Sequence, residues 1–381
     1  MSLYVPTGTP PLIGSAVARI ERRLPSAGEV LVRQGQRVEP EEVVAKAFLP
    51  GVPMIVNLAC ALSIAPALVE RAMVRELGNK VSQGEVLARS SRIGGRTCLS
   101  PVSGKIESVD TETGYVTISP DPTTYELQAT VRGLVMEILP NQGVVIETPA
   151  AQVYGAFGIG KERAGVLRLL VTDPAEPIRP ELIDARSAYA IIMGGSGITA
   201  AGLRRAMQEQ VRGVIVGSID EAELRAFLGW SSPASWRAGT GGWNFPDATG
   251  TAPDLTLVVT EGFGTQPMSM PLFELLASHD RLEALIEGGT RLRTPMQRPR
   301  VVIPLSTRSS NVQLEPPRPS LRSGATVRLL DAAHLGQVGQ VRSFSATPRR
   351  LASQVRVAAV DVALEDGTLI QLPRTDVEVL A

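Results

Sequence analysis

The stretch Ala188-Tyr189-Ala190-Ile191-Ile192-Met193-Gly194-Gly195-Ser196-Gly197, continuing to Leu228, decides how this chain is read. A short apolar run meets a glycine turn. Ile198, Leu203, Ala206 and Met207 then recur at helical spacing before a second apolar run, Val214-Ile215-Val216. The order is strand, loop, helix, strand. Gly217-Ser218-Ile219-Asp220 ends the second strand, and Ser218 or Asp220 is placed to cap a helix over 221–228 by accepting its free N–H groups. Alternation of this kind predicts parallel strands with helices packed on them, and ligands of such sheets sit at the carboxyl ends of the strands. Gly194, Gly195, Ser196 and Gly197 are therefore candidate ligand contacts, together with Ser218 and Asp220.

Composition bounds what surrounds this stretch. With 381 residues, 44% of them hydrophobic, the chain is long enough for two to four domains. A formal net charge of zero removes any global attraction to nucleic acid or an anionic membrane. The lysines are Lys46, Lys80, Lys105 and Lys161, and the remaining cations are arginine, a bias without functional weight. Cys60 and Cys98 form no Cys-x-x-Cys, and His279 and His334 are the only histidines, so neither a metal site nor a bound cofactor is expected. The start of the chain has neither a basic segment nor a long apolar core. The most apolar stretch, 54–69, is broken by Asn57, Ser63 and Pro66 and reads as a buried helix or strand pair. A cytoplasmic protein with free thiols and no membrane contact is the expectation.

From Ile13 to about Ala150 the pattern is β-rich, with β-branched runs ended by Gly, Pro or Asn. The unit 28–38, Gly-Glu-Val-Leu-Val-Arg-Gln-Gly-Gln-Arg-Val, is echoed at 78–88, Gly-Asn-Lys-Val-Ser-Gln-Gly-Glu-Val-Leu-Ala, and related pieces follow at 99–106 and 131–140. These segments resemble the half-motifs of the lipoyl and biotinyl carrier fold, the barrel-sandwich hybrid. A carrier of that family needs an exposed lysine at a hairpin tip. Lys46 lies in an apolar run and Lys105 lacks the usual flanks, so the resemblance implies a scaffold without the swinging cofactor.

Beyond the opening stretch, 166–171 reads as a strand, Pro174, Pro177 and Pro180 stiffen the connection, and Trp230, Trp236 and Trp243 crowd into a loop at 229–253, where they either anchor an interface or pin the loop to its own core. Leu255 to Thr260 is a further strand ending in Glu261-Gly262-Phe263-Gly264, with a helix over 271–279. If this strand neighbours 188–193, Glu261, Gly262 and Gly264 open on the same crevice as the glycine loop. From Arg291 to Arg328 the chain carries Arg291, Arg293, Arg298, Arg300, Arg308, Arg318, Arg322 and Arg328 against a single acid, Glu315. Within it, 301–305 reads as an edge strand because of Pro304.

The last sixty or so residues carry the most specific pattern: Gly324-Ala325-Thr326-Val327-Arg328-Leu329-Leu330-Asp331, then His334-Leu335-Gly336-Gln337-Val338-Gly339-Gln340-Val341, followed by runs at 355–364, 369–372 and 377–380. This resembles the KOW motif, the two-strand core of a small SH3-like barrel. The resemblance implies five short strands and binding of RNA or protein, as in ribosomal proteins and transcription elongation factors. The expected fold class is thus mixed and multidomain: a β-rich, barrel-sandwich-like scaffold over 1–150, an α/β domain with parallel strands over 151–305, a linker over 306–320 and a KOW, SH3-like β-barrel over 321–381.

Three functions follow. The first is a non-catalytic adaptor or assembly factor acting through protein contacts, since catalytic candidates are sparse: the glycine loop is no Walker loop and does not fit Gly-x-Gly-x-x-Gly, and Ser196 lacks the flanks of a nucleophile. The second is a small anionic-ligand binder or enzyme using 194–197 and 261–264, with the helix end behind the loop offering N–H groups. The third is an RNA-associated factor in transcription or translation. Its contacts to nucleic acid or a partner would be Arg291, Arg293, Arg298, Arg300 and His334, although arginines in such a segment equally pair with acids elsewhere. With Phe344 the only aromatic in the C-terminal unit, a protein partner is favoured over nucleic acid, which binds weakly or not at all.

Overall fold

A computed structural model of the chain describes residues 10–91, 94–229, 254–290, 298–305, 319–331, 334, 337–345, 347–351 and 354–380. The expectations at Trp230, Trp236, Trp243, Arg291 and Arg293, and nearly all of 306–320, lie outside the described residues. The molecule is β-rich, built from several sheets, and its largest sheet mixes parallel and antiparallel strands. Among the described residues no helix is long and apolar enough to cross a membrane.

The largest sheet has eleven strands. From one edge they run Phe157–Ile159, Thr256–Phe263, Gly213–Ile219, Ala190–Met193, Arg163–Leu169, Glu283–Glu287, Arg300–Pro304, Gly143–Tyr154, Gly133–Leu139 and Arg37–Val38, while Leu12–Arg23 pairs with Gly143–Tyr154 off this path. Four consecutive members, from Arg163–Leu169 to Thr256–Phe263, are parallel, as the opening stretch predicts. The residues of Ala190–Met193, Gly213–Ile219 and Thr256–Phe263 are buried almost without alternation because helices cover both faces, whereas Arg163–Leu169 is mostly half-buried. Ala200–Gln208 and Glu221–Leu228 lie on one face, where Leu203, Ala206 and Leu224 pack on Ile192, Val214 and Val216. Met270–Ser278 lies on the other, placing Leu272, Phe273 and Leu276 against Ile191, Ile215 and Val258.

Gly143–Tyr154 joins this α/β part to the β-rich one. Leu12–Arg23 pairs along nearly its whole length. Its other edge is shared: Gly133–Leu139 pairs with residues 143–147 and Arg300–Pro304 with residues 150–154. The change of neighbour falls at Thr148 and Pro149. The Pro149 carbonyl accepts from Leu305 N–H (2.8 Å), so a donor on Pro149 would face the same edge, and proline's missing N–H coincides with the gap. Residues 150 and 151, the expected domain division, therefore sit within one continuous strand. Leu285 and Val302 of the α/β part also pack in the same core as Ile20, Val44 and Ile146.

Two expectations change. Arg300–Pro304 is an inner strand between Glu283–Glu287 and Gly143–Tyr154 and not an edge; Pro304 is tolerated because it is the last residue of the strand. The apolar stretch 54–69 is a strand, Met54–Asn57, followed by a short helix, Leu58–Leu62, which Asn57 caps by accepting the Cys60 N–H (2.9 Å). In the repeated units, Gly35 and Gly84 both take left-handed φ, +82° and +78°, at corresponding turns.

The C-terminal strands form one antiparallel sheet in the order Leu369–Pro373, Ala359–Leu364, Val338–Phe344, Thr326–Leu329, Val377–Val379. Its core holds Val327, Leu329, Val341, Val360, Val377 and Val379. Alternation turns Arg328 and Glu378, which are register partners, to the opposite face. There they meet the central sheet. Glu378 pairs with Arg298 (2.8 Å) and Arg328 (3.7 Å); Arg328 also donates to the Thr260 carbonyl (3.1 Å), and Arg298 to those of Gly155 (3.2 Å) and Tyr154 (3.3 Å). All three side chains are at most 7% exposed. Burial, opposed by Glu378 and reinforced by Arg328, pushes Arg298 down to about 10, which leaves it charged at neutral pH.

Removing the shared carboxylate strands two buried guanidinium groups. Glu378→Gln is expected to cost about 3–5 kcal/mol in urea unfolding, whereas replacing Arg298, Arg328 and Glu378 together by Met, Met and Leu restores most of it. A loss under about 1 kcal/mol for Glu378→Gln, as for a surface pair, would show that the triad does not hold the two sheets together.

Candidate functional site

The glycine loop lies where the sequence places it, between Ala190–Met193 and Ala200–Gln208, and several of its backbone groups are bonded within the protein. Gly194 N–H donates to Ile215 O (3.0 Å), and Gly195 and Ser196 N–H both donate to Glu176 O (3.1 Å each). At the helix start, Thr199 Oγ1 accepts from Gly202 N–H (3.2 Å) and the Glu223 carboxylate accepts from Ala200 N–H (2.7 Å). A helix N-terminus attracts an anion, and here Glu223 is that anion.

The condition on which this loop and 261–264 are expected to share a crevice is not met. Ala190–Met193 and Thr256–Phe263 are not neighbours, because Gly213–Ile219 lies between them. The four parallel strands follow one another in chain order, so no reversal of strand order opens a crevice among them. Ser218 bridges what remains. It is fully buried, with its hydroxyl 2.7 Å from Ser196 O and 2.9 Å from Gln266 O, and its N–H donates to Ser196 O (2.7 Å). With a single proton to donate, that hydroxyl serves the two carbonyls in turn. Asp220 caps Glu221–Leu228 by accepting Ala222 N–H (2.7 Å), and Glu261 accepts Ser269 N–H (3.0 Å) at the start of Met270–Ser278. Gly262 and Gly264 take φ of +132° and +117°, and Gly264 N–H donates to Ile219 O (3.1 Å).

The arginine-rich segment changes meaning as well. Arg298 belongs to the buried triad. Arg300 is paired bidentately with Glu287 and reaches the Arg19 carbonyl (3.3 Å); burial opposes its charge, but Glu287 and Tyr154 together raise its pKa. Neither guanidinium is presented to a nucleic acid or a partner. The same arginines satisfy internal acids, the other outcome the sequence left open. His334 Nδ1 lies 2.7 Å from Asp331 Oδ2.

Sequence reasoning passed over Glu162. It follows the strand Phe157–Ile159, is paired with Arg22, and accepts from the Thr130 hydroxyl (2.9 Å). It lines a polar cleft of about 680 Å³ with Thr130, Arg163, Arg212 and Glu283. Burial raises its pKa; Arg22 opposes this, the Glu287 charge adds to it, and Thr130 and Arg300 oppose it further. Nothing in the local sequence marks Glu162, since its partners come from positions 22, 130, 287 and 300. Among the described residues no three His, Cys, Asp or Glu side chains gather to hold a metal ion.

Two outcomes are expected. A Cβ on Gly195 would stand 2.4 Å from Asp173 O and 2.6 Å from Pro174 O, both backbone atoms, so Gly195→Ala should destabilise the fold by roughly 1–3 kcal/mol in urea unfolding and Gly195→Val by more. Glu162, with its folded pKa above the unfolded one, keeps a proton that the unfolded chain releases. Its contribution to stability therefore falls as pH rises through that interval and stays low above it. Unfolding free energies measured between about pH 4 and 7 should show this decline, and Glu162→Gln should flatten it. Identical slopes in both proteins would refute the assignment.

Scans of the chain against protein-family models and against curated proteins find no match, so function is argued from these residues alone.

Proposed function

We propose that the protein is a non-catalytic adaptor or assembly factor that works through protein contacts of its β-rich part and of its C-terminal, KOW-like sheet. The observation that carries this reading is the exposure of large apolar side chains on one short stretch of the β-rich part: Phe48 at 64%, Val52 at 83% and Ile55 at 66%. Large apolar side chains exposed to water near one another in the chain mark surfaces that gain free energy when covered. The C-terminal sheet adds Leu369, exposed on its edge strand, and Phe344, exposed at the end of its central strand. The engagement of the glycine-loop groups by Glu176, Glu223 and Ser218 supports the same view, because a substrate there would have to displace bonds the fold already makes.

The small-ligand reading at 194–197 is weakened for that reason, and the RNA reading loses Arg298 and Arg300 to internal ion pairs. A cytoplasmic setting fits the free thiols of Cys60 and Cys98.

The test is chemical cross-linking of the tagged full chain in the cells that make it. A discrete protein partner should be recovered with the unaltered chain and lost with Phe48→Asp combined with Ile55→Asp, while the melting temperature changes little because both side chains are exposed. Turnover of a metabolite by the purified protein, abolished by Glu261→Gln, would instead establish an enzyme.

A further inference from the structure

The fork in the central sheet leaves a cleft that none of the functions above uses. Gly133–Leu139 and Arg300–Pro304 leave the same edge of Gly143–Tyr154 in opposite directions, so beside Thr148 and Pro149 the sheet has no strand to fill it. The resulting cleft has a volume of about 440 Å³, within the range of small-molecule sites, roughly 300–1,000 Å³. Register explains its lining. Val17 lies opposite Pro149, and Leu305 follows Pro304, the partner of Ala150, so Val17, Pro149 and Leu305 make an apolar row. One row along, Arg19 and Leu134 lie opposite Glu147, and Arg37 opposite Leu134.

The charges in the cleft are unequal. Glu147 is already held by Arg19 (3.2 Å). Arg37 and Arg132 are both exposed, line the cleft, and have no ion-pair or hydrogen-bond partner among the described residues. Among the described residues lining the cleft, Glu39 is the one acid without an ion pair. An apolar floor edged by two guanidinium groups that no described protein group engages matches a ligand with an apolar body and one anionic end, and the planar guanidinium fork suits a carboxylate in particular.

We propose that this cleft binds a small monocarboxylate with an apolar tail, its carboxylate on Arg37 and Arg132 and its tail over Val17, Leu134, Pro149 and Leu305. The site is distinct from the protein-contact surface at Phe48 and Ile55, and it stands or falls independently of the adaptor reading.

Isothermal titration calorimetry on the full chain tests it with three probes: octanoate, octan-1-ol, which keeps the tail without the charge, and acetate, which keeps the charge without the tail. Octanoate should bind with one-to-one stoichiometry and more tightly than either of the others. Arg37→Gln with Arg132→Gln should weaken octanoate by about tenfold or more and leave octan-1-ol unchanged, while Glu39→Gln should tighten octanoate. All three side chains are at the surface, so the variants keep the melting temperature of the parent, which the same samples verify. The proposal is overturned if octanoate does not bind, if it binds no better than octan-1-ol, or if the arginine variants bind it as the parent does.

Discussion

Everything in the central sheet depends on how the strand Gly143–Tyr154 distributes its hydrogen-bonding edges. A strand has two edges, and buried backbone groups left unpaired on either are costly. Leu12–Arg23 satisfies one edge along its length. The other is satisfied in two parts, by the adjoining hairpin strand Gly133–Leu139 and by the sequence-distant strand Arg300–Pro304, and Pro149, which has no N–H to satisfy, stands where they part. This arrangement joins β-rich and α/β portions in a single sheet and a shared core. It also creates the cleft at the fork as a by-product of geometry.

The C-terminal sheet is attached differently. Its own apolar core faces inward, and what it offers the rest of the molecule is charge: Arg328 and Glu378 on its outer face, met by Arg298 and by the carbonyls of Tyr154, Gly155 and Thr260. Two guanidinium groups share one buried carboxylate, and carbonyl oxygens of the central sheet accept from both. Such an arrangement is sensitive to register, because slipping the Val377–Val379 strand by one residue would carry Glu378 to the opposite face.

The candidate site reads as structure wherever its polar groups can be followed. Asp220, Thr199 and Glu223 cap helices, Glu261 accepts a backbone N–H at the start of another, and Ser218 ties two loops. These residue types recur in binding loops for the same reason they appear here: short polar side chains satisfy the orphan N–H groups at helix starts. Chemistry and capping draw on the same alphabet, so a local motif could not separate them.

Local pattern was enough for the elements themselves. The strand, glycine turn, helix and strand of 188–228, the helix Glu221–Leu228 and the strand beginning at Thr256 all follow from apolar periodicity and from capping residues, which act over a few positions. Lateral order was beyond it. That Gly213–Ile219 separates the two glycine-bearing loops, that Arg300–Pro304 is an inner strand, and that Arg298 and Arg300 face acids at positions 378 and 287 are facts about residues far apart in the chain. Alternation turns Glu378 away from the apolar core of its own sheet; only the docking of that sheet on a second one takes the carboxylate out of water. Periodicity tells which side of an element a residue occupies, and tertiary packing alone decides what lies on that side.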